Sequence, residues 1–252
     1  MQAQDAVARA LGYPYARPAH RYLFSNGECQ PWQPERIAAL SALTPVLAVG
    51  SNAAPDQLRR KYGQDHHDDI PVTMGWLDDH DVVYGAYLTG YGSLPATLVD
   101  SPGTRVAMAI TWLTERALAQ MHTTEAVGAH TDYGVLTGLS LSPSLGLHAE
   151  SAPAQVFTWR CRLGEFVGAD GNPVALQALA AERRRWPALS QEAVQRLLHQ
   201  MLTGEAAPAS QAALSDWVLR NVQTPAHRQA HSVWMQRRCL DSGLRHFESL
   251  AG

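Results

Sequence analysis

From Pro45 to about Trp159 the chain is a series of short apolar or alternating runs broken by Gly, Pro and Asp, with room between the breaks for only two short helices. That pattern makes the middle of the chain a strand-and-turn domain. Strands are expected near 45–49, 71–77, 81–88, 95–100, 105–113, 133–141 and 153–160. The first helix has Pro55 near its first turn, Leu58 and Tyr62 on one face, and Gly63 as its stop. The second runs from Thr114, which can cap it, to His122, with Leu118 and Met121 on one face. Between the two helices, Ser101-Pro102-Gly103 is expected to reverse the chain and join two strands.

The flanks read differently. Residues 1–44 form an arm: a helix over roughly 3–11, a Pro- and aromatic-rich stretch, and a helix over PERIAALSAL opened by Pro34. The strand domain covers 45–165, and 166–252 is an extension expected to be helical beyond Gly171. There, Val174, Leu176 and Leu179, then Val194, Leu197, Leu198 and Met201, then Leu214, Trp217 and Val218, and last Val233, Trp234 and Leu240 form apolar stripes. Such stripes are expected to pack on the strand domain or on one another. A rival use is to pair two copies of the chain through these carboxy-terminal helices. With 46% hydrophobic residues the whole has enough apolar material for a sizeable core, and the fold class is α+β.

Several function classes drop out on composition. A net charge of −3 without long like-charge runs offers no footprint for nucleic acid. No window approaches 18 uninterrupted apolar residues, so no membrane partner is expected. The amino terminus lacks a basic segment followed by an apolar one, which makes the cytoplasm the expected location. Cys29, Cys161 and Cys239 are far apart and form no CxxC pair, and they read as reduced thiols. Lysine occurs once, at Lys61, so no GxxxxGK[ST] phosphate loop exists. Within RRKYG, Lys61 is expected on the exposed side of its helix, a poor setting for a reactive amine.

Three segments are candidates for chemistry. In VLAVGSNAAPDQL an apolar run ends in Gly50-Ser51-Asn52 and feeds a helix. The first N–H groups of such a helix lack partners and its dipole favours negative charge, so the junction can hold an anion or a carbonyl oxygen. Gly50 lets backbone approach a ligand, and Ser51 and Asn52 add side-chain hydrogen bonds. Farther on, Glu125 stands just beyond a helix and before a glycine-containing loop. A carboxyl group partly desolvated at such a junction has its pKa raised toward neutrality and suits proton transfer. The third segment runs from Gly92 to Val106, GSLPATLVDSPGTRV, and reads as scaffold more than chemistry.

In this order, Val49-Gly50-Ser51-Asn52 with Gln57-Leu58, Pro95–Gly103, Val106–Trp112, Thr124-Glu125-Ala126 and Tyr133 resemble the γ-glutamylcyclotransferase-like family over about residues 45–160. Where that family has an aromatic residue before Gly-Ser-Asn this chain has Val49, and where a glycine follows the glutamate it has Ala126, with Gly128 two residues on. The resemblance implies a small mixed β-barrel with flanking helices and a reaction that converts a small γ-glutamyl amide or peptide to 5-oxoproline and a free amine. It implies Glu125 as the acid/base, Val49, Gly50, Ser51 and Asn52 at the substrate, and Tyr133 lining the pocket. It implies no metal and no organic cofactor. The substrate brings its own nucleophile, an α-amine within ring-closing reach of the γ-carbonyl, so the protein has to supply orientation and proton handling. The alternative is a non-catalytic ligand-binding or interaction protein on the same fold.

Other constellations are weaker. His66-His67-Asp68-Asp69 are neighbours on one loop, a geometry that seldom converges on one ion. His122, Glu125, His130 and Asp132 offer a rival metal set but lack the helical spacing of an HExxH site. Neither Ser51 nor Ser93 has glycine two residues to either side, as a nucleophile elbow requires. The run Glu182-Arg-Arg-Arg-Trp186 is expected at a helix end and is too short to argue for RNA.

Overall fold

The computed structural model describes residues 2–36, 40–63, 68–125, 127–143 and 153–250. Two long antiparallel strands form its spine, β4 (Ile70–Tyr84) and β5 (Ala96–Leu113), numbered in chain order after three shorter ones. Those are β1 (Tyr22–Ser25), β2 (Glu28–Gln30) and β3 (Thr44–Ala48). After the spine come β6 (Thr131–Thr137), β7 (Leu141–Pro143), β8 (Gln155–Cys161), β9 (Ala175–Leu176), β10 (Ala181–Glu182), β11 (Ala188–Leu189) and β12 (Phe247–Ser249). The main strand path is β11-β9-β4-β5-β3-β8-β6-β12, with β1, β7 and β10 pairing at its sides. It mixes parallel pairs (β3 with β8, β9 with β11) with antiparallel ones. The path does not return on itself, so the closed barrel expected from the family resemblance is replaced by an open mixed sheet among the described residues.

Alternation along the strands sends side chains to two cores. On β5, Val106, Met108, Ile110 and Trp112 enter one core and Ala109 and Leu113 the other. The first core is covered by α1 (Ala3–Leu11), α4 (Gln191–Thr203), α5 (Gln211–Gln223) and α6 (Pro225–Gln236), which contribute Ala10, Val194, Leu198, Leu214, Trp217, Val218 and Met235. The stripes of α4 and α5 thus pack within the chain, whereas Leu240 of the last stripe is exposed. The second core takes Leu58 and Tyr62 from α2 (Pro55–Tyr62) and Ala117 and Met121 from α3 (Glu115–His122). Both short helices have the expected ends. Pro55 opens α2, and Gly63, at φ 74°, closes it by donating its N–H to Arg59 O. Thr114 caps α3 by accepting from Ala117 N at 3.1 Å.

Other expectations are corrected. Ser101-Pro102-Gly103 does not reverse the chain: both halves of β5 run along the same β4, whose pairing shifts from Asp78↔Arg105 to His80↔Asp100. The extra residues stand out as a bulge opposite Asp79, held by Gly103 N donating to Asp79 Oδ1 (2.7 Å) and by a buried Ser101–Thr104 hydroxyl pair. Residues 174–189 are not helical but supply β9, β10 and β11, so the extension is helical only from Gln191. Arg184, instead of ending a helix, pairs with buried Asp81 at 2.9 Å. In the arm, β1 pairs with β4 and so belongs to the sheet. The PERIAALSAL helix is represented by two 3-10 turns, Pro34–Arg36 and Leu40–Ala42, and the residues between them lie outside the described ones. None of the described helices is long and apolar enough to cross a membrane.

Candidate functional site

Strand β3 ends at Ala48, pinned between β5 and β8, and the chain then makes a single 3-10 turn over Ser51–Ala53 before α2 begins. Two residues of the arm fix this turn from outside. The Tyr22 hydroxyl donates to Ala53 O at 2.6 Å. Tyr13 lies directly on Gly50, where an added Cβ would fall 2.1 Å from its hydroxyl oxygen, so only glycine fits here. The same hydroxyl accepts the N–H of Ala96, at the start of β5, at 2.9 Å.

Glu125 arrives from the other side of the same opening. Helix α3 ends at His122, and the chain winds on for another turn, Thr124 N and Glu125 N donating to Met121 O and His122 O. Thr131 Oγ1 donates to the carbonyl of Glu125 at 2.6 Å, and Gly128, at φ 82°, carries the chain back toward β6 with its N–H on Thr131 O. Ala126 lies outside the described residues. This turn projects the Glu125 carboxylate into a cavity of about 230 Å³ that is also lined by Val49, Gly50, Ser51 and Asn52. Asn52 Nδ2 donates to Glu125 Oε1 at 3.1 Å. The expected loop and the expected carboxylate, 73 residues apart, therefore share one site.

The glutamate is not a lone desolvated acid. Lys61, expected on the exposed side of α2, is buried, with its side chain only 4% exposed, and forms an ion pair with Glu125 Oε1. Its Nζ also donates to Thr124 Oγ1 at 2.7 Å. The ammonium points inward because α2 docks against α3, where Gln120 Nε2 donates to Lys61 O and the Tyr62 hydroxyl to Ala117 O. The one lysine of the chain thus faces the cavity beside the glutamate.

Aromatic walls complete the site. Val49 lines the cavity but is buried in the first core, and the rings come instead from Tyr13, Tyr87, Tyr91 and Trp159. Burial raises the phenol pKa of Tyr13, Tyr87 and Tyr91, with further repulsion from neighbouring groups including Glu125, so each stays a protonated hydrogen-bond donor at neutral pH. Tyr133 stands outside the lining. It stacks on Phe157 at 5.7 Å and tilts against Trp159 at 5.3 Å, and burial pushes its hydroxyl up to about 12. The wall expected of Tyr133 is supplied by Trp159, with Tyr133 supporting it from behind. A second cavity of about 480 Å³, between the arm and the start of α4, shares Tyr13 and Gly50 with the first.

The rival metal set does not assemble. His122 packs edge-on to Tyr133 at 4.4 Å and its pKa is lowered by burial, Glu125 opposing that shift. His130 lines the cavity against Tyr87, while Asp132 pairs with Arg162 at 3.4 Å. Among the described residues no group of three His, Cys, Asp or Glu side chains is placed to hold an ion. Of the earlier loop set, His66 and His67 lie outside the described residues, and Asp68 accepts from Thr114 Oγ1 and Arg116.

Sequence reasoning missed Lys61 and Tyr13. Tyr13 carries no local signal, being an aromatic in an arm 37 positions before the glycine it covers. For Lys61 the signal was its uniqueness in the chain. No protein-family model matches this chain, and no curated protein matches it by sequence.

Proposed function

We propose that the protein is a cyclotransferase of the γ-glutamylcyclotransferase-like type, releasing 5-oxoproline from a small γ-glutamyl amide or peptide in the cytoplasm. The observation that carries this reading is the convergence of Glu125 and the Gly50–Asn52 turn on one tyrosine-walled cavity, bridged by the Asn52–Glu125 hydrogen bond. The open sheet departs from the family's barrel, so support comes from the motif order and the site more than from the architecture.

In this reading the glutamyl head group sits against the turn. The N–H groups at the start of the 3-10 turn hold its carboxylate or the oxyanion that forms as the γ-carbonyl is attacked, an electrostatic role worth roughly 3 kcal/mol per well-aimed donor. The substrate's α-amine attacks the γ-carbonyl carbon, the C–N bond of the ring forms, and the amide C–N bond to the departing amine breaks. Glu125 takes the proton that the attacking amine gives up, and the departing nitrogen takes up a proton as the amide bond breaks. Holding amine and carbonyl within reach supplies much of the rate, because the reaction is already intramolecular. No step calls on a nucleophilic side chain, a metal or an organic cofactor. Incubating the protein with a panel of γ-glutamyl amines and dipeptides and assaying 5-oxoproline tests the reading. Release from at least one member supports it, and binding of γ-glutamyl compounds without release favours the non-catalytic alternative.

A further inference from the structure

The only lysine of the chain is buried against the glutamate that the proposed reaction uses, and the way their atoms are shared is informative. Glu125 Oε1 receives two donors, Lys61 Nζ and Asn52 Nδ2. Among the described residues no donor reaches Oε2, which leaves that oxygen to meet a proton from the substrate. Thr124 Oγ1 gives its own proton to Met121 O at 2.8 Å, so toward Lys61 it acts as an acceptor. Two of the ammonium's three protons are thereby committed, to Thr124 and to Glu125 Oε1. The third has no acceptor among the described residues, and Lys61 lines the cavity.

We propose that Lys61 is the acid that protonates the departing amine while Glu125 Oε2 is the base that deprotonates the attacking one, an assignment that rests on the cyclotransferase reading. The protons balance. The neutral α-amine forms the ring C–N bond and gives one proton to Glu125 Oε2. The amide C–N bond breaks, and its nitrogen takes one proton from Lys61 Nζ. A neutral lysine then stands beside a neutral glutamic acid, the net charge of the pair is unchanged, and proton exchange through the open cavity restores the ammonium and the carboxylate. A single carboxyl group would have to cross from the attacking to the departing nitrogen between the two transfers. Two groups hydrogen-bonded to each other serve both nitrogens at once.

The test uses the dependence of rate on the departing amine. The substrates are γ-glutamyl methylamide, whose strongly basic leaving amine needs a proton, and γ-glutamyl p-nitroanilide, whose weakly basic one does not. In K61R the guanidinium keeps the positive charge beside Glu125 but holds its proton too tightly to act as an acid. Relative to wild type, K61R is expected to lose about 10²–10⁴-fold in kcat on the methylamide, the usual worth of general-acid catalysis, and far less on the anilide. In K61A, added methylamine is expected to restore part of the methylamide turnover. Each variant is assayed where circular dichroism shows it folded. Equal losses on both substrates by K61R, with no rescue of K61A, overturn the acid role and make Lys61 a positioning residue for Glu125. No 5-oxoproline from either substrate with wild-type protein overturns the cyclotransferase reading, and the acid role with it.

Discussion

Replacing Gly50 with alanine isolates one contact between the arm and the site. The φ of Gly50 is −116°, so alanine carries no left-handed penalty, and the clash with Tyr13 is the part of its cost that a second substitution can remove. The new methyl would lie 2.1 Å from the Tyr13 hydroxyl and 3.1 Å from the ring carbon that bears it. Tyr13 is buried and must move, giving up the N–H of Ala96. Overpacking of this kind costs roughly 1–3 kcal/mol, and a donor left without a partner costs about 1–2 kcal/mol more. A total of about 2–5 kcal/mol lowers the melting temperature of a chain this size by roughly 4–20 °C. The assay is a double-mutant cycle of G50A with Y13F, followed by thermal or urea melts. Phenylalanine removes the atom that clashes and has already given up the hydrogen bond, so G50A should cost at least about 1 kcal/mol less in the Y13F background. An equal cost in both backgrounds would refute the claim that Tyr13 is what Gly50 accommodates.

Other perturbations have equally definite signs. In R184M the buried Asp81 carboxylate loses its partner, which costs about 3–5 kcal/mol at pH 7. Burial raises the Asp81 pKa even with Arg184 present, so without it protonation should recover part of that loss as the pH falls toward 5 in denaturant titrations. The His231 pKa is lowered by burial and then by His227 and His199, so the unfolded chain takes up that proton first. Its contribution to stability is present at neutral pH and is lost as pH falls below about 6.5, the ordinary histidine value. H231Q should therefore weaken the dependence of stability on pH between pH 7 and 5. G103A places a side chain at φ 85° in the β5 bulge and should cost about 1–2 kcal/mol by urea melts, leaving the cavity residues in place.

What the sequence shows and what it hides divide along the range of the interaction. Pro55, Gly63 and Thr114 mark helix ends through bonds to residues three or four positions away, and α2 and α3 lie where those signals place them. The stripes of α4 and α5 likewise face the core. Asp78–His80 and Ser101–Gly103 carry equally good turn signals, yet they face each other across a strand pair as one bulge. Turn chemistry specifies a local kink, and only the pairing decides whether the chain reverses. Val174, Leu176 and Leu179 repeat at a helix-compatible spacing but lie in or beside short strands, because β4 offers an edge to pair with. In the site, Gly50–Asn52 and Glu125 were legible through short motifs with backbone consequences. Lys61 was misread because a charge on a helix is normally solvated, and its partner is 64 positions away. Tyr13 meets Ala96 across 83 positions, a contact that no local pattern announces.

Glu125, set against the Gly50–Asn52 turn, is the group proposed to handle the proton in γ-glutamyl cyclisation. The most direct test is the rate of 5-oxoproline release by wild-type protein and by E125Q, measured on the best γ-glutamyl substrate of the panel with both proteins folded. Glutamine keeps the shape and a hydrogen-bonding oxygen for Lys61 and Asn52 but is not a base at neutral pH. The account expects E125Q to bind the substrate and to lose about 10²–10⁴-fold in kcat. Equal rates in the two proteins would contradict it.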